Sequence, residues 1–157
     1  MSTYSATIRW ERGDQPFIDN KYSRGHTWLF DGGVEVPASS SPHSVPLPYS
    51  RTNAIDPEEA FVASLSSCHM LWFLFIAAER GFCVNSYIDN AEGAMAKNAS
   101  GKLAMTRVTL RPKVVFVGNL LPARNDIESM HHKAHTECFI ANSVKTEVLC
   151  EPIYAAA

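Results

Sequence analysis

The stretch from Asp56 to Ile76 (DPEEAFVASLSSCHMLWFLFI) constrains this chain more than any other. Asp56 suits an N-cap, Pro57 suits the first helical position, and Glu59 stands three residues past the cap, where a capping box needs it. Gly81, after Glu79-Arg80, is a natural stop. The spacing predicts a helix over 57–80, roughly 36 Å long at 1.5 Å per residue. It is apolar over most of its circumference, which implies burial on all sides. The rest of the chain is then expected to wrap it, with Cys68 inside.

The flanking segments supply strands. Tyr4 to Trp10 alternates, with Ala6, Ile8 and Trp10 on one face. Residues 11–20 carry Gly13-Asp14 and Asp19-Asn20 and read as a hairpin connection to a second strand, Tyr22 to Phe30. From Val34 to Ile55 no period holds, and Pro37, Pro42, Pro46 and Pro48 alternate with serines. Residues 31–55 are expected to form an ordered arm or lid, over the chain's own pocket or that of a neighbouring subunit.

Beyond the helix, 83–97 is an imperfect strand and 103–117 a strong one, in which Pro112 marks an edge or a bulge. Residues 122–142 read as a second helix, with Ile127, Met130, His131, Ala134, Cys138 and Ala141 on one face. Residues 144–150 alternate in a last strand. The expected fold class is α+β, in the order β-β-α-β-β-α-β, with a mainly antiparallel sheet and one domain over residues 1–157.

Composition removes several function classes. Fourteen basic and 16 acidic side chains leave a net charge of −2, with no basic run, so nucleic acid is not expected as a partner. The apolar run Met70 to Ala78 is short for a bilayer, and no basic-then-apolar leader opens the chain. Neither a membrane nor a signal peptide is expected. Four cysteines without close spacing argue against a secreted disulfide framework and for a reducing, cytoplasmic setting.

Cys83 and Cys150 read as packing residues, since a buried free cysteine mostly behaves as a small hydrophobe. Cys68 and Cys138 each lie on the core stripe of a helix. Helix axes about 8–10 Å apart allow facing thiols to meet, and two unreacting core cysteines fit the same spacing. A metal reading competes: His131, His135 and Cys138 share one helical face, and Cys68 would complete a nitrogen–sulfur site. No CxxC or HExxH signature accompanies them.

Together, Asp56-Pro57-Glu58-Glu59 leading to Ser66-Ser67-Cys68, and the segment from His131 to Ser143 that contains Cys138, resemble the OsmC/Ohr family of osmotically inducible and organic hydroperoxide resistance proteins. The resemblance implies a cysteine peroxidase that reduces organic hydroperoxides, works as an intertwined homodimer and needs no cofactor. It implies Cys68 as the attacking thiol, Cys138 as the resolving thiol, and Glu58 as the orienter of a catalytic arginine. That arginine is assigned to Arg24, ahead of Arg12 and Arg51. A lipoyl-type dithiol is the implied reductant.

The chemistry agrees. A buried thiol resists ionisation, Cys68 is mid-helix, and a permanently charged arginine is apt to favour its thiolate. Phe61, Leu65, Trp72 and Trp28 are expected to wall the site and favour apolar peroxides, with His69 or His135 as modifiers of the thiol. Glu58 and Cys68 are ten residues apart, about 15 Å along a helix. Glu58 is therefore expected to serve the Cys68 of a second copy.

Overall fold

The computed structural model describes residues 1–155. It is an α+β protein whose chain forms two compact units, Met1–Ala60 and Phe61–Ala157.

The first unit is built on a three-stranded antiparallel sheet of β1 (Ala6–Arg9), β2 (His26–Phe30) and β3 (Glu35–Ala38), in that order. Trp28 stands opposite Ile8 on one side and Val36 on the other. The β2–β3 reversal closes when the Gly33 N–H donates to the Phe30 carbonyl at 3.0 Å, and Gly33 takes the positive φ of +82° this requires. The β1–β2 connection holds itself together through Trp10, Phe17 and Tyr22, whose ring centroids lie 4.6–5.8 Å apart.

The first two strands are both shorter than the alternation suggested. The second starts at His26 rather than Tyr22, because the Arg24 N–H is taken by the Tyr49 carbonyl at 2.8 Å. Within the aperiodic proline-rich stretch, β3 is a strand that the prolines masked. Pro37 is tolerated there because β3 is an edge strand. The stretch then returns along it: the Ser39 N–H donates to the Ile55 carbonyl and the Ile55 N–H to the Pro37 carbonyl, both at 3.0 Å.

Helix α1 (Pro57–Glu79) starts as its sequence dictates. Asp56 Oδ1 accepts from the Glu59 N–H at 2.8 Å, and Glu59 Oε2 accepts from the Asp56 N–H at 3.2 Å. Gly81 ends it with φ +79°, and the Phe82 N–H turns back to the Ala77 carbonyl at 2.9 Å. One face, carrying Leu65, His69, Phe73, Ile76 and Ala77, is buried. By length and composition alone α1 is long and apolar enough to cross a bilayer, with an 18-residue window of mean hydropathy 1.8, a property that core helices share. Leu71 and Phe75 keep 60% and 57% of their surface exposed.

Two small sheets complete the second unit. β4 (Cys83–Asp89) pairs antiparallel with β7 (Pro112–Val117). β6 (Leu103–Leu110) lies between β5 (Glu92–Lys97), antiparallel, and β8 (Glu147–Cys150), parallel. The two long strands expected over 83–97 and 103–117 are thus each divided. Pro112 has no N–H for a ladder and restricts Arg111 before it, so the chain leaves one sheet there and enters the other. Asp89 holds both breaks, accepting from Ser66 Oγ of α1 and, at 2.6 Å, from the Arg111 N–H.

Helix α2 (Arg124–Glu137) is shorter than the 122–142 expected, and Cys138 is its C-cap residue with extended ψ of 111°. Asn142 Nδ2 donates to the Thr136 carbonyl at 2.9 Å, which satisfies one end group and turns the chain into a 3-10 turn at Ala141–Ser143. Phe73, Ile76 and Ala77 of α1 pack on Met130 and Ala134 of α2, and Leu65 packs on Val108 and Leu110 of β6.

Candidate active site

The α1–α2 contact brings two thiols together. Cys68, half-buried in the middle of α1, neighbours Cys138 at the end of α2 closely enough to raise its pKa, and both are free thiols. Cys138 is buried, and its sulfur accepts from the Ala141 N–H at 3.4 Å. Burial and then the neighbouring Cys68 push the Cys138 thiol up to about 11, against the pull of the Ala141 and Ile140 N–H groups. It therefore keeps its proton at neutral pH. The α2 helix ends one residue before Cys138, so the sulfur is aimed by the cap and the 3-10 turn rather than by helical periodicity.

An aromatic ledge adjoins the pair. Trp72, one turn after Cys68, meets Phe139, the residue after Cys138, edge to face with centroids 5.5 Å apart, and Phe75 at 5.8 Å. The expected wall is thus only partly formed: Trp72 is in it, whereas Leu65 and Phe61 pack into the core against β6. Phe139 was not foreseen. Its neighbour position to Cys138 was the available signal.

A second cluster lies deeper. His69 Nε2 and His131 Nδ1 are 3.0 Å apart, and Cys150 Sγ lies 3.8 Å from His69 Nε2. The His131 ring stacks on Phe73 with centroids 4.2 Å apart. Burial, reinforced by His135, lowers His69 to about 4; burial, reinforced by His69, lowers His131 to about 3. Burial, then Asp89 and Glu151, push Cys150 up to about 12. The metal set suggested by the sequence, His131, His135 and Cys138, does not converge among the described residues; His131 turns instead to His69 and Cys150. The helix stops before Cys138, which removes the shared face that reading needed. Cys150, expected to pack, is half-buried with its sulfur facing an imidazole.

In the first unit, Arg24 lies outside β2, not on it. Its guanidinium donates to the Asn20 carbonyl at 2.8 Å, to Asn20 Oδ1 at 3.2 Å and to the Tyr22 carbonyl, and it covers the Tyr22 ring. Arg12 donates to the Gln15 carbonyl at 2.8 Å. The Arg51 guanidinium rests on Gly25, where a Cβ would come within 2.6 Å of its Cζ, and makes no hydrogen bond to a described residue. Glu58 is half-buried and has no ion-pair partner among the described residues.

Residues 50–152 match the model of the OsmC-like protein family. The chain belongs to that family. An OsmC-like protein of unknown function from Vibrio cholerae is 57% identical over 98% of this chain and 100% of its own, with a TM-score of 0.96. The organic hydroperoxide resistance protein OhrB of Bacillus subtilis shares the fold at 18% identity, covering 97% of this chain and 98% of its own, with a TM-score of 0.69. An organic hydroperoxide resistance protein of Elizabethkingia anophelis does so at 15% identity over 97% and 94%, with a TM-score of 0.70. No curated protein matches the sequence. In this OsmC-like chain, both motif cysteines stand in the second unit, on the elements that pack its larger aromatic core.

Proposed function

We propose that this OsmC-like protein is a thiol peroxidase acting on organic hydroperoxides, with Cys68 attacking and Cys138 resolving. The observation that carries the reading is the proximity of the two free thiols, one from the middle of α1 and one from the end of α2. The family membership and the hydroperoxide resistance of two relatives that share the fold support it.

The Cys68 thiolate attacks the terminal oxygen of ROOH. The O–O bond breaks, the alkoxide takes a proton and leaves as ROH, and sulfur becomes a sulfenic acid. Cys138 then attacks that sulfur; its proton and the departing hydroxide leave as water, and a disulfide remains. A lipoyl-type dithiol returns both thiols by exchange, losing two electrons and two protons. The two cysteines divide the roles by environment. Cys138, raised to about 11, stays protonated and inert until a sulfenic acid stands beside it. The aromatic ledge of Trp72 and Phe139 suits the apolar tail of the peroxide.

Cys68 needs a cation, and Arg51 is a better candidate than Arg24, because Arg24 and Arg12 are already committed to their own turns. Glu58 orients that arginine toward the Cys68 of a second copy, since about 15 Å of helix separates the two residues in one chain.

The test is consumption of cumene hydroperoxide with a dithiol reductant. Cys68→Ser abolishes turnover. Cys138→Ser completes one oxidation, detected by trapping the sulfenic acid with dimedone, and then stalls. Continued turnover by Cys68→Ser overturns the reading.

A further inference from the structure

We propose that His69, His131 and Cys150 form a binding site for one zinc-class divalent ion, separate from the Cys68–Cys138 pair. Three elements far apart in sequence deliver the ligands: the middle of α1, the middle of α2 and the end of β8. All three donor atoms lie within 4.8 Å of one another. A tetrahedral zinc with Zn–N of about 2.0–2.1 Å and Zn–S of about 2.3 Å sets donor edges near 3.3 Å (N to N) and about 3.6 Å (N to S). Two of the three edges here are 3.0 Å and 3.8 Å and the third lies within 4.8 Å, so side-chain adjustment brings the donors to an ion.

The burial is what makes the cluster unusual. His69 and His131 expose only 1% and 3% of their surface. They share a single hydrogen bond, and His69 Nδ1 and His131 Nε2 have no partner among the described residues. Desolvating two imidazoles for one hydrogen bond is a poor exchange, because a buried polar group without a partner costs about 1–3 kcal/mol. An ion between the facing nitrogens and the sulfur replaces that hydrogen bond with three coordinate bonds, while His69 Nδ1 and His131 Nε2 stay on the outer side of the rings. Two nitrogens and a sulfur suit zinc better than calcium or magnesium, which take oxygen ligands.

Loading balances simply. The imidazoles donate lone pairs, Cys150 gives its proton to solvent, and the thiolate–zinc unit carries a net charge of +1. The carboxylates of Asp89 and Glu151 stand near enough to Cys150 to offset that charge. His131 also lines a cavity of about 360 Å³ bounded by Val114, Arg124, Ile127 and Tyr154, which brings open space up to one of the three ligands. Filled, the site pins α1, α2 and β8 to one another, with its α1 ligand next to Cys68 in the chain.

The experiment uses reduced full-length protein freed of metal with a chelator and titrated with Co²⁺. The expected result is one cobalt per chain, with tetrahedral d–d bands and a thiolate-to-cobalt charge-transfer band, all displaced by Zn²⁺. Cys150→Ser loses the charge-transfer band and binds at least about 100-fold more weakly. The Cys68→Ser/Cys138→Ser double variant keeps it. X-ray absorption on the zinc-loaded unmodified protein, which needs no variant to fold, reports two imidazole nitrogens and one sulfur. Absence of cobalt uptake, a charge-transfer band that survives Cys150→Ser, or two sulfurs on zinc overturns the proposal. None of these readouts depends on peroxide chemistry.

Discussion

The two buried imidazoles set the acid response of the metal-free protein. Both have folded-state values below the ordinary 6.5, at about 4 for His69 and about 3 for His131. Above pH 6.5 both are neutral, folded or unfolded, and their burial carries no pH dependence. As pH falls below 6.5 the unfolded chain binds protons that the folded chain refuses, so stability drops toward the folded values. The slope is about 1.4 kcal/mol per pH unit for each imidazole. Urea unfolding of chelated protein between pH 7 and pH 4.5 measures it, and His131→Gln should flatten the slope by about half. An unchanged slope in that variant removes the imidazoles as the cause.

Gly25 offers a second prediction at this scale. Its missing Cβ is the space the Arg51 guanidinium occupies, and the guanidinium is the movable end of a flexible side chain. Gly25→Ala therefore shifts Arg51 at a stability cost below about 1 kcal/mol. If Arg51 activates the thiol, kcat/KM falls by on the order of 10²-fold, as for a lost charge-stabilising donor, while the melting temperature moves little. Arg24→Lys should leave kcat/KM within a few-fold. The reverse pattern restores Arg24 to the role the sequence assigned it.

Among the elements, Asp89 has the widest reach. It is the last residue of β4, and it ties α1 through Ser66 to the point where the chain changes sheets at Arg111-Pro112. Asp89→Ala leaves a half-buried N–H and hydroxyl without their acceptor, at a cost of about 2 kcal/mol by urea denaturation. Asp89→Asn, which keeps an acceptor oxygen, should recover part of it. A neutral Asp89→Ala would mean that the sheets change over without this clamp.

The same elements show what was legible in the chain. Helix α1 announced itself because Asp56, Pro57, Glu59 and Gly81 are local signals, each acting within a turn of its own position. The sheet change at Pro112 was visible only as a disturbance. Whether a proline marks an edge, a bulge or a crossing depends on partners distant in sequence. The end of α2 was overrun for a related reason: Ala134, Cys138 and Ala141 keep the apolar period, and the stop comes from the Asn142 side chain reaching back to Thr136. Arg24 looked like a strand residue because the competing Tyr49 carbonyl, 25 positions on, leaves no mark on the local pattern. The His69–His131–Cys150 cluster needed α1, α2 and β8 placed before its members could be seen as neighbours.

At the scale of the molecule, α1 is more apolar than one chain can cover. Its buried face, from Leu65 to Ala77, takes up only part of the helix surface, and Leu71 and Phe75 stand in the open. Phe75 touches Trp72, which touches Phe139, itself exposed, so the open side chains continue directly into the ledge beside the thiols. We propose a second copy of the chain as the occupant, which also accounts for the separation of Glu58 from Cys68. One straight helix keeps Glu58 and Cys68 about 15 Å apart, and two copies allow each to serve the other's partner residue. Burying Leu71 and Phe75 gains about 1.5–3 kcal/mol for each side chain. Leu71→Glu/Phe75→Glu should therefore convert a dimer to a monomer in light scattering at micromolar concentration. Mixing Cys68→Ser protein with Glu58→Gln protein then separates the two questions. If sites form across copies, about half the dimers are heterodimers at random exchange, each with one site in which both residues are intact, and activity recovers to about a quarter of the parent's. Full dimerisation with no recovery on mixing would leave each site within a single chain.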